Sequence, residues 1–243
     1  MSTNIVIDDV TANQRWIGIR GENTTALTLS NITAAWASHS GVYLGYATGA
    51  PPTLTNLSLT HSVRGITLQN FATSPAYTLG PRAITSLADS NTGIELGGGN
   101  VNLTVADLTL DNPTQAIMVS GTQTNVRFED LILDGAGIGY GLSFNNSAGV
   151  TIANVRADHR TYGFYGLNAS GLVIESFRSH HSLNGISFNN LASTSTAPTF
   201  YGLDLQRNET GMLFSNIQVR MFIGPSDPAD ALAYLRTDDS IYG

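Results

Sequence analysis

A glycine followed by an apolar residue returns along this chain every 22 to 28 residues, and that recurrence constrains the fold more than any local propensity. The pairs are Gly18-Ile19, Gly41-Val42, Gly65-Ile66, Gly93-Ile94, Gly141-Leu142, Gly163-Phe164, Gly185-Ile186 and Gly211-Met212, with Ala116-Ile117 filling the gap. Each opens a short alternating strand, such as Gly185-Ile186-Ser187-Phe188, which directs Ile186 and Phe188 inward and Ser187 outward. About ten residues earlier lies a second strand, as in Leu131-Ile132-Leu133, and just before it a third, as in Val126-Arg127-Phe128. Three period-2 strands per ~23 residues, with no helical period between them, describe coils that bury their apolar faces only by stacking. The expected fold is all-β: a right-handed parallel β-helix of about nine or ten coils over residues 1–224.

Five residues after the marker stand Asn23, Asn70, Asn146, Asn168, Asn190 and Asn216. Asparagine tolerates left-handed backbone, and stacked asparagines hydrogen-bond along the axis, so these positions predict one turn repeated from coil to coil. From Pro225 the pattern changes. Ser226 or Asp227 as N-cap, then Pro228 and Ala229 to Arg236, predict a short capping helix within residues 225–243. No comparable cap precedes Asn4, so a further domain or subunit is expected at that end.

Charged residues are scarce, lysine is absent, and the net charge is −7. A nucleic-acid partner would call for a basic stripe, and an anionic membrane surface for a polybasic one. An acidic polysaccharide remains open to a local arginine cluster. There is no cysteine, hence no disulfide or thiolate metal site, and no apolar run reaches the ~18 residues of a membrane span. Met1-Ser2-Thr3 leads straight into Asn4-Ile5-Val6-Ile7, as a mature fragment or an excised domain would. The expected location is extracellular or at the cell surface.

Aligned on the marker, the coils between residues 130 and 210 gather the chemistry. Asp158, His159, Arg160, Tyr162, His180, His181 and Arg207 fall at matching registers of three successive coils, with Arg156, Arg178 and Asp204 in a column alongside. Carboxylate, imidazole, phenol and guanidinium are the groups that neutralise a uronate and move its C5 proton. The catalytic candidates are therefore Asp158, His159, Tyr162 and His181; the substrate-binding candidates are Arg156, Arg160, Arg178, His180 and Arg207. The plain alternative is a solvated polar turn. Asp111, Asp134 and Asp158 would stack and repel one another unless arginines or Ca²⁺ intervene; no other cofactor is expected.

Val150-Thr151-Ile152-Ala153-Asn154-Val155-Arg156 followed by Tyr162-Gly163-Phe164 resembles the mannuronan C5-epimerases of the pectate-lyase-like β-helix superfamily. In that family the strand leads into Tyr-Gly-Phe-Asp-Pro-His. The resemblance implies a polysaccharide-active β-helix in which Tyr162 matches the catalytic tyrosine. The Asp-Pro-His positions read Tyr165-Gly166-Leu167 here, so only Tyr162 carries over. Two readings follow: a lyase or epimerase acting on an acidic polysaccharide, or a non-catalytic glycan-binding, adhesin-like or spike-like module of a larger protein. An ice-binding face is excluded, since the outward column Arg20, Tyr43, Thr67, Glu95, Met118, Ser143, Tyr165, Ser187, Leu213 is too mixed.

Overall fold

The markers open nine parallel strands, hydrogen-bonded in series from Ile17–Glu22 at one end to Thr210–Ile217 at the other. A computed structural model of the chain describes residues 2–46, 48–112 and 114–224. It is a parallel β-solenoid of about nine turns, in which register follows the repeat: Ile94 pairs with Ile66 and Ile117, and Phe164 with Leu142 and Ile186. The helix expected within residues 225–243 lies outside the described residues.

The glycine of the marker has a steric cause. A Cβ on Gly41, Gly65, Gly141 or Gly185 would come within 2.6–2.8 Å of the marker carbonyl in the next coil. Most coils therefore stack this closely through glycine; Ala116 is the one marker that carries a Cβ.

Most coils turn at four corners where the backbone is left-handed. In coil seven these are Gly149, Asn154, His159 and Asn168; in coil eight, Gly171, Ser176, His181 and Asn190. The fourth corner is the predicted ladder. Asn23, Asn70, Asn146, Asn168, Asn190 and Asn216 all have φ between 49° and 58°, and Tyr46, Gly98 and Gly121 take the same conformation in the remaining coils. Asn168 Nδ2 donates to Asn146 Oδ1 (2.7 Å), and Asn216 Nδ2 to Asn190 Oδ1 (2.9 Å). Asn168→Ala should therefore cost about 1–2 kcal/mol, the penalty of left-handed backbone for an ordinary L residue. Asn168→Gly should cost less; a urea-unfolding comparison of the two variants checks the assignment.

The second corner is a further ladder: Asp9, Asn31, Asn56, Asp107, Asp130 and Asn154 are all left-handed. Asn56 Nδ2 donates to Asn31 Oδ1 (2.9 Å), and Asn154 Nδ2 to Asp130 Oδ1 (2.5 Å). The core is mainly aliphatic in the early coils, Phe71 apart, and aromatic in the later ones. Phe128, Phe144, Phe164, Phe177, Phe188 and Phe200 are fully buried, with Phe164 stacked on Phe188 at 5.0 Å between centroids. Ser187 does point outward, yet it is fully covered. Its neighbours in the outward column are Tyr165 and Leu213, so facing away from the core did not make it exposed.

Candidate functional site

The third corner carries the histidines. Gln14, Trp36, His61, Asp89, Gly137, His159, His181 and Arg207 are left-handed there, with φ from 53° to 61° apart from Gly137. A left-handed residue breaks the in–out alternation of a strand. It turns its own side chain to solvent and its flanking residues inward. So His159 and His181 are exposed, while Asp158 and Arg160 beside His159, and Ser182 beside His181, are buried.

The expected patch therefore divides into three parts. On the outside, His159 and His181 stack face to face at 5.1 Å and 9°, and Arg207 is exposed one coil on. Three residues after His159, on the outer face of the long sheet, Tyr162 stacks on Tyr140 at 5.2 Å and 6°. Tyr165 leans against both, at 5.4 Å from Tyr140 and 5.3 Å from Tyr162, and all three rings are half-buried. Burial, then the neighbouring Tyr162 and Tyr165, push the Tyr140 phenol above its ordinary value.

Behind the exposed rings runs an ion-pair ladder. Arg156 bonds Asp134, Arg178 Nη2 donates to Asp158 Oδ2 (2.8 Å), and Arg156 Nε lies 3.7 Å from the same oxygen. Asp158 also accepts the backbone N–H of His180 (2.8 Å). Burial alone would raise the Asp134 carboxyl, but the Arg156 hydrogen bond and the Asp158 N–H hold it below its usual value. Between Asp134 and Asp158 the expected repulsion is met by Arg156, with Arg178 on the far side of Asp158. Among the described residues, no three His, Asp or Glu side chains come together as metal ligands. His180 Nε2 stands 3.0 Å from Asp204 Oδ1 at an angle that leaves it without a hydrogen bond. Arg156 and Arg178 were expected to hold substrate; their guanidinium groups are half-exposed and already paired to carboxylates.

The third part is Arg160, which sequence alone put on the surface. It is 1% exposed, and its side chain runs along the axis through the interior. Nε donates to Leu133 O (2.9 Å), Nη1 to Asn112 O (2.5 Å), and Nη2 to Asp134 O (2.7 Å) and Leu110 O (3.4 Å). Burial pulls its pKa down to about 10, against the raising fields of Asp134 and Asp111, so it stays cationic at neutral pH. In other coils this inner position holds a small polar residue: Ser62, Ser90, Ser182 or Asn208. Arg160 therefore cannot touch a ligand in the folded protein.

The N-terminal coils, outside the charged columns from residue 130 onward, carry aromatic surface around the same corner. Trp36 stacks on His61 at 4.4 Å and 25°, and His61 Nε2 lies 3.3 Å from Asp89 Oδ2. Trp16 leans on His39 at 5.1 Å, and both indoles are about 60% exposed. A larger depression of ≈ 560 Å³, lined by Pro52, Tyr77, Arg82 and Asp107 among others, touches none of the predicted site residues.

These observations define a parallel β-solenoid with an imidazole- and phenol-lined edge. No family model matches the chain, and no curated protein matches it either.

Proposed function

We propose that this chain is a non-catalytic polysaccharide-binding β-solenoid, a module acting outside the cell or at its surface. The observation that carries the reading is the Tyr140–Tyr162–Tyr165 platform beside the stacked His159 and His181. Half-exposed, mutually stacked rings form a rigid amphipathic surface, apolar on the face and polar at the hydroxyl, at little cost in conformational entropy. A sugar ring offers the complement: an apolar C–H face and hydroxyls at its rim. Exposed Arg207, and the remaining N–H donors of Arg156 and Arg178, favour a chain bearing uronate groups.

The lyase or epimerase reading finds less support. Of the groups it calls on, Arg160 is internal, and Asp158 is buried against Arg178 and the His180 N–H. At the partly buried Ile5, Ile7 and Val10 of the first coil, a neighbouring domain or subunit would find apolar surface to stack on.

Affinity electrophoresis through gels containing alginate or polygalacturonate tests the proposal. The protein should be retarded, Tyr162→Ala should weaken retention severalfold, and its melting temperature should hardly change. Product absorbance and NMR on the same polymers should show neither elimination nor epimerisation. Turnover would overturn the non-catalytic part, and absence of retention on every polysaccharide would overturn the whole.

A further inference from the structure

At the third corner of the second coil the chain places a tryptophan where the backbone is left-handed. Trp36 has φ 61°, its N–H is tied to Thr60 O at 3.1 Å, and its indole is 60% exposed. Left-handed backbone is costly for any L residue, and a bulky one there is a genuine outlier. The fourth corner of the same coils shows the cheaper solution, with asparagine at six of its nine positions. Nothing in the core is gained by Trp36, since most of its ring faces water. A strained and exposed aromatic of this kind points to function.

What surrounds it defines the chemistry. The indole stacks on the His61 ring, and Val63 lines the same depression. Asp89 and Asn91 supply acceptors and donors at its rim, and a depression of ≈ 340 Å³ lies between these side chains. That volume falls at the small end of ordinary ligand sites and suits one ring. Asp89 is exposed, with His61 beside it. A carboxylate accepts hydrogen bonds from sugar hydroxyls but repels a second carboxylate.

We infer that Trp36, His61, Asp89 and Asn91 form a subsite for a neutral hexopyranose ring, separate from the Tyr162 platform. The inference rests on the glycan-binding reading, and adds to it a second site of different charge preference. The indole carries the apolar face of the sugar, and the rim residues hold its hydroxyls. Both tryptophans of the chain lie at this end and none lies at the tyrosine platform, so the two sites can be read apart.

The experiment is a fluorescence titration of Trp16→Phe, in which Trp36 is the sole indole. The probes are neutral gluco-, galacto- and manno-oligosaccharides, with oligogalacturonate alongside. One neutral series should shift or quench the emission saturably. Trp36→Asn, assayed by calorimetry, should lose about tenfold or more in affinity for that series, as loss of a stacking ring does. Asp89→Asn should lose severalfold. The melting temperature of Trp36→Asn should stay level or rise, because asparagine suits the left-handed corner. A fall of several degrees would show the indole to be structural and would overturn the inference. Equal or tighter binding of oligogalacturonate would overturn the assignment to a neutral ring, and a flat titration with every probe would overturn the site. Quenching by a neutral series together with no retention on polyuronate gels would leave this site standing while the tyrosine platform failed.

Discussion

Phe188→Ala is expected to cost about 3–5 kcal/mol of folding free energy, seen as a lower urea midpoint and a melting temperature reduced by roughly 10 °C. The ring is fully buried and central to the aromatic part of the core. It stacks on Phe164 at 5.0 Å, meets Phe200 edge-on at 5.5 Å and approaches Phe214 at 6.4 Å. It also fills the space of a missing side chain one coil back, since a Cβ on Gly166 would lie 3.0 Å from its Cδ1 and Cε1. Truncation therefore opens a cavity against a glycine that has nothing to move into it, and such sites collapse poorly. An unchanged midpoint would mean that the inward face of the Asn184–Leu191 strand is assigned wrongly. Ser187→Ala, in the same strand, removes only a weak 3.4 Å contact from Asn189 and should shift stability by about 0.5 kcal/mol or less.

The solenoid was legible because its cause is steric and repeats in sequence: glycine where strands approach, asparagine where the backbone turns left-handed. The second ladder was equally open to reading. An apolar residue, any residue, Asn or Asp, then an apolar residue recurs as Leu29-Ser30-Asn31-Ile32, Leu54-Thr55-Asn56-Leu57, Phe128-Glu129-Asp130-Leu131 and Ile152-Ala153-Asn154-Val155. The candidate site was legible only as a register. Columns place His159 beside His181, and their rings do stack. Which neighbours share the surface depends on the sign of one φ angle, and histidine announces it less strongly than glycine does. Once His159 is left-handed, Arg160 is carried inside. Trp36 was missed for the converse reason. A tryptophan at such a corner contradicts propensity, and no charged column marks it in the sequence.

That inward turn makes Arg160 a structural side chain that ties three coils together. Arg160→Ala should cost about 4 kcal/mol or more, enough to unfold part of the solenoid at moderate temperature. The guanidinium links its own coil to two others, donating to Leu133 and Asp134 in the preceding coil and to Asn112 and Leu110 in the one before that. Removing it strands several buried carbonyls at about 1–3 kcal/mol each, because water has no path to replace the donor. It also leaves a long void beside Gly135, whose missing Cβ now makes room for the Arg160 side chain, with Cδ and Nε only 2.5 Å from where that atom would sit. Arg160→Lys keeps the charge but brings one point donor in place of a fork, so it should recover only part of the loss. Urea unfolding measures the cost, and amide exchange localises it. In Arg160→Lys the amides of Leu133, Gly135 and Tyr162, which pair across these coils, should exchange faster than those of Leu57 or Asn70. Because the guanidinium never reaches solvent, polysaccharide retention by folded Arg160→Lys should equal that of the parent protein. Lost retention in a variant with an unchanged melting temperature would return Arg160 to the surface and sink this account of the corner.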